Sequence, residues 1–150
     1  MCAAFMKKYD GEKYSGSNRY YLYDLAYKIF DYLALKTKIA ENLVPAYQRG
    51  DKETLRLICD VYLPDLEKKT IAVHEANRVA WKRNNKPFGW INLDVRYAGV
   101  AARCKSARIE INEYLSGKTA RLETLEETRL DQNLNGFIEY SAISSPNLKI

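Results

Sequence analysis

Apolar residues return along this chain at intervals of three and four. From about Arg19 to Gln48, Ala26, Phe30, Leu33, Ala40, Val44 and Tyr47 are spaced by three, four or seven residues, the repeat of one face of a helix. Leu22, Leu25 and Ile29 widen that stripe to the breadth of a helix packed against two neighbours. Pro45 is expected to kink the last turns, because its ring displaces an amide proton, and Gly50 is expected to close the helix in a left-handed cap.

Asp51 then offers an N-cap. Leu55, Cys59, Tyr62, Leu66, Val73, Ala76 and Ala80 carry a second helix to about Asn84, with Pro64 marking, after two turns, either a kink or a short break in which it is the first residue of the continuation. The stretch NNKPFGW is a turn: the residue before Pro87 is driven out of the helical region, and Gly89 permits a tight reversal. A third helix is expected from Asn92 or Asp94, with Leu93, Tyr97, Val100, Cys104, Ala107, Ile111 and Tyr114 inward until Gly117. A short fourth helix follows from Thr119, its N-cap, to about Arg129, with Leu122 and Leu125 as its contacts.

The last residues change character. Asn135-Gly136 signals a turn, and FIEYSAI alternates in the manner of a strand. The fold class is therefore all-α: three long antiparallel helices, a short fourth and a β-like tail. Residues 1–17 read as an irregular lead-in, 18–130 as the helical bundle, and 131–150 as a tail packing on the bundle or on a neighbouring domain.

Composition narrows the function more than it defines it. A chain of 150 residues with 47% hydrophobic residues fills one compact core. No apolar run approaches the roughly 18 residues of a membrane span. The net charge of +5 is spread along the chain, with carboxylates beside most basic clusters, as in DKETLR, so no face gathers the cations that nucleic acid requires. Cys2, Cys59 and Cys104 show neither a CxxC nor a Cys/His spacing, which argues against a zinc site or a disulfide framework and favours the cytoplasm.

Few residues suggest chemistry. His74 is the only histidine, and the residues three and four positions away, Thr70, Ile71, Asn77 and Arg78, include no nucleophile and no carboxylate to orient its ring; it reads as a boundary histidine. Glu123, Glu126 and Glu127 sit between Arg121 and Arg129 and read as an exposed acidic patch. The segment DQNLNGFIEYSA places Asp131, Asn133 and Asn135 where a calcium loop has ligands, but Ala142 stands where such a loop needs a bidentate glutamate, so a plain Asn-Gly turn is the better reading. Trp81, Phe88, Trp90 and Tyr97 gather about the turn between helices two and three. Phe88, Trp90 and Arg96 are the candidates for an interface, or for contact with a sugar, since aromatic rings and arginine are common interface anchors.

Read in order, LKTKIAENLVPAYQRGDKETL, NKPFGWINLDVRYAGVAARCKSARIEINEYLSGKTARLETLEETRL and the terminal ISSPNL resemble the C-terminal helical domain of some bacterial β-N-acetylhexosaminidases of glycoside hydrolase family 20. Ala98-Gly99 departs from the two glycines usual there, a change expected to widen helix spacing slightly. The resemblance implies a separate (β/α)8 catalytic barrel as partner, possession of the catalytic Asp-Glu pair by that barrel, and no cofactor of this domain's own. No Asp-Glu dipeptide occurs in this chain, which is also shorter than the roughly 250 residues of a barrel. The expected function is a non-catalytic domain that supports the barrel, joins subunits into a homo-oligomer, or both. The alternative is an independent helical adaptor with no glycosidase link.

Overall fold

A computed structural model describes residues 18–126. Its elements are α1 (Tyr20–Gln48), α2 (Lys52–Leu57), a π-helical turn (Ile58–Tyr62), α3 (Leu63–Asn84), α4 (Trp90–Leu115) and α5 (Glu123–Glu126). Helix makes up 84% of the described residues and no strand occurs among them, which sets the fold in the all-α class. The lead-in 1–17 and the tail 131–150, with the calcium-loop candidate Asp131, Asn133 and Asn135, lie outside the described residues.

The chain reverses where local chemistry says it should. At the end of α1, Gly50 adopts φ +66°, its amide donates to the Tyr47 carbonyl at 3.0 Å, and the Asp51 amide donates to that of Ala46 at 2.9 Å. These two bonds satisfy carbonyls that the last turn leaves open, and Gly117 repeats the arrangement after α4. Asp51 caps α2 by accepting from the Thr54 amide at 3.0 Å and the Thr54 hydroxyl at 2.7 Å. α1 stays helical through Pro45 as far as Gln48.

Pro64 stands in the first turn of the continuing helix, one residue after its start, and a π turn takes the place of the kink or break. The helix widens over Ile58–Tyr62, and Pro64 then falls in the first turn of α3. The Leu63 amide reaches back five residues to the Ile58 carbonyl, the longer spacing of a π turn. The wider turn gives the proline ring its place without ending the rod.

α3 runs down the middle, antiparallel to α1 on one side and α4 on the other. Salt bridges mark both seams: Lys69 pairs with Asp31 of α1, and Lys105 of α4 meets Glu67 at 3.2 Å. The core lies toward the α1–α2 turn, where Ile39, Leu43, Leu55, Ile58, Leu63 and Leu66 meet Cys104 and Ile111, with Leu122 as a lid. Each such aliphatic side chain contributes about 2 kcal/mol by leaving water. Toward the opposite end α3 buries only Val73, Ala76 and Ala80, and aromatic rings fill the space that these smaller side chains leave.

Three expectations are corrected. The buried line of α1 is Ile39, Leu43 and Ala46; of the expected line, Phe30, Leu33 and Ala40 are exposed, while Ala26, Val44 and Tyr47 are half-buried and Tyr47 packs against the core. α1 is rich enough in apolar residues to carry two lines, and packing on α3 selects one. α4 begins at Trp90, not at Asn92 or Asp94, because Gly89 with φ +88° serves as its N-cap. The described part of the last helix begins at Glu123, not Thr119: the Thr119 amide is taken by the Glu113 carbonyl at 3.2 Å, within the turn that closes α4.

Candidate functional site

The turn from α3 to α4 gathers polar and aromatic side chains from both helices. Asn85 leaves α3 in an extended conformation, and the indole N–H of Trp81 donates to the Lys86 carbonyl at 2.9 Å, tying the turn to the helix it has just left. The Trp90 amide then donates to the Pro87 carbonyl at 3.3 Å and opens α4. His74, Asn77 and Trp81 lie on one face of α3, three and four residues apart; Trp90, Asp94 and Tyr97 lie likewise on α4. The antiparallel hairpin sets the two triplets opposite one another.

The contacts are specific. His74 Nε2 lies 2.6 Å from Asp94 Oδ1, its ring stacks on Trp90 with centroids 5.5 Å apart and planes at 11°, and Tyr97 closes from the side at 5.1 Å. Asn77 Nδ2 donates to the Tyr97 hydroxyl at 2.9 Å, and Trp81 packs on Trp90 at 5.9 Å. His74 therefore does have a carboxylate to orient it. That carboxylate comes from twenty residues away across the turn, beyond the reach of a search along one helix.

A histidine held by a carboxylate is two-thirds of a nucleophile-activating set. The hydrogen bond and ring contacts of His74 reach Asp94, Trp90 and Tyr97, none of them a serine, threonine or cysteine, and they tie α3 to α4. Among the described residues no group of three or more metal-binding side chains converges. A cavity of about 50 Å³ between α1, α4 and α5 is far smaller than the roughly 300 Å³ of the smallest ordinary ligand sites.

The structure divides the three interface candidates. Trp90 is half-buried in the cluster, whereas Phe88 is 93% exposed at the apex of the turn and Arg96 is exposed on α4. Arg96 does not follow a cap at Asp94: Asp94 sits a full turn inside α4 and is engaged by His74. Glu123 and Glu126 are exposed, pair with Arg121, and Glu126 also accepts from the Tyr47 hydroxyl, as an acidic surface patch would. Gly99 has open space around it and Ala98 is exposed, so an alanine there does not change the spacing of helices within this chain.

Fold and site define a small all-helical domain with a locked aromatic end and a ring presented at its apex. Over residues 3–141 the chain matches the family described as "Glycoside Hydrolase 20C C-terminal domain", and it belongs to that family. The reading as an adaptor without a glycosidase link is thereby set aside. No curated protein matches the chain.

Proposed function

We propose that this domain is non-catalytic and docks on the catalytic barrel of its parent glycosidase through Phe88 at the apex and Arg96 on α4, with half-buried Trp90 in the cluster as support. The observation that carries this reading is the almost complete exposure of Phe88 on a turn made rigid by the cluster behind it. A ring already ordered and already in water loses little conformational freedom on docking and gains its full burial. The entry of the chain supports the same end: Tyr21, at the start of α1, donates to Asn84 Oδ1 at 3.1 Å and lies under Arg83. α1 therefore begins beside the apex, the end to which we assign the contact with a catalytic domain.

The role is support, with the Asp-Glu chemistry supplied by the barrel. Cys59 and Cys104, both free and buried, fit a reducing compartment, and we place the domain in the cytoplasm. No helix among the described residues is long and apolar enough to cross a membrane. The test is calorimetric titration of the chain into the separately produced catalytic domain of the parent. Binding is expected, with Phe88→Ala and Arg96→Ala each weakening it about tenfold or more. Absence of binding by the wild-type chain, or equal binding by both variants, would sink the proposal.

A further inference from the structure

A second surface stands apart from the apex. Along the outside of α4, Ile91, Val95, Ala98, Ala102 and Ile109 share one face, at helical steps of four, three, four and seven. Ile91 is 70% exposed, Val95 68% and Ile109 60%. This stripe turns away from the line that packs inward through Tyr97, Cys104 and Ile111, and it runs about 27 Å along the helix.

We infer that this stripe pairs antiparallel with the same stripe of a second copy of the chain, about a twofold axis that crosses the stripe at the level of residue 100. The argument is self-complementarity. Reversing the helix about that point sets Ile91 against Ile109 of the other copy and Ala98 against Ala102, so that large side chains meet at both ends and small ones at the centre, where the two backbones come closest. A twofold antiparallel pair also brings like edges together. Asp94 and Lys105 both lie on the edge nearer α3, since Asp94 meets His74 and Lys105 meets Glu67. The same register therefore places Lys105, 65% exposed, beside Asp94 of the second copy, and the reciprocal pair forms by symmetry. Apolar fit and charge fit select one register independently.

One helix face of this length gives a contact at the small end of stable interfaces, so the pairing is reversible and depends on concentration. The inference rests on the reading of the domain as an interaction module, and it uses a different face from the apex. Sedimentation of the wild-type chain should show a monomer–dimer equilibrium. Ala98→Glu, on an exposed helical position, should keep the helical spectrum and melting temperature while weakening dimerisation about tenfold or more, because two like charges then meet at the axis. Lys105→Glu should weaken it too, most at low salt.

Direction is read by cross-linking in a Cys2→Ser background. A short bis-maleimide should join Ile91→Cys chains to Ile109→Cys chains when the two are mixed, and should join neither variant to itself, since antiparallel pairing separates like positions by about 27 Å. Self-joining of Ile91→Cys would mean a parallel pair and would overturn the proposal. A wild-type chain that stays monomeric would also overturn it, without touching docking at Phe88. Should that monomer lose binding to the parent's catalytic domain on Ala98→Glu, the stripe belongs to that contact instead.

Discussion

At the scale of single residues, burial decides what each side chain does. Leu66 is fully buried where α3 faces the rest of the core. Leu66→Ala should cost about 3 kcal/mol, from lost transfer energy and the void left behind, as measured by urea denaturation. Burial likewise silences the thiols: it pushes the Cys104 pKa up to about 11, with the charge of Glu67 adding to the effect, and it raises that of Cys59. In a Cys2→Ser background, thiol reagents at neutral pH should label nothing until denaturant is added, because the reactive thiolate is absent from the native state. Native-state labelling at the rate of a free thiol would contradict that placement.

Asp51 shows the same scale working through hydrogen bonds. The Thr54 amide and hydroxyl hold its carboxyl below the usual carboxylate range. A depressed folded-state pKa contributes stability above the unfolded value near 3.9, and that stability is lost as pH falls through the folded value. Asp51→Ala should accordingly melt lower than the wild type at pH 7, and the gap should narrow on acidification below pH 4. A gap that is constant with pH would mean that the carboxylate is not what caps α2.

Among elements, turns and register carry the weight. Gly89 sits at φ +88°, a conformation side chains avoid, while a methyl group there would meet Trp81 only at an ordinary 3.9 Å. The penalty for Gly89→Ala is therefore one of backbone conformation and not of space, about 1 kcal/mol in thermal or chemical denaturation. Had the close packing of Trp81 been the constraint, the cost would be larger and Gly89→Asn would share it in full; an αL-tolerant asparagine should recover part of the loss. The two leucine- and isoleucine-bearing lines of α1 make a related point. Ile39, Leu43 and Ala46 are buried, whereas Leu33 and Ala40 are not, although helical spacing alone accommodates both lines.

For the whole molecule, the expectation is inertness toward glycosides. The purified chain should not hydrolyse a chromogenic N-acetylglucosaminide, since its sequence holds no Asp-Glu dipeptide and His74 is engaged by the Asp94 carboxylate. Turnover that survives purification and vanishes in Glu123→Gln would refute the non-catalytic reading. Trp90→Ala separates stability from association. It removes the ring stacked on His74 and should lower the melting temperature by several degrees. Dimerisation should persist in it, because the apolar stripe through Ile91, Val95, Ala98, Ala102 and Ile109 does not include Trp90.

What the sequence determined by itself was local: three helices from their apolar spacing, the caps at Asp51, Gly50 and Gly117 from the chemistry of those residues, and family membership from the order of its motifs. The helices and caps depend on neighbours within a turn or two, and the physics of a turn is contained in the residues that make it. Tertiary structure decided the rest. Only the antiparallel seating of α4 on α3 brings Asp94 to His74, and only packing against α3 chooses which face of α1 enters the core. The π turn before Pro64 also depends on packing, because it keeps Ile58, Cys59 and Leu63 buried together while the proline is accommodated. Spacing along one helix specifies an angle around its own axis, and which partner meets that angle is fixed by the register between helices.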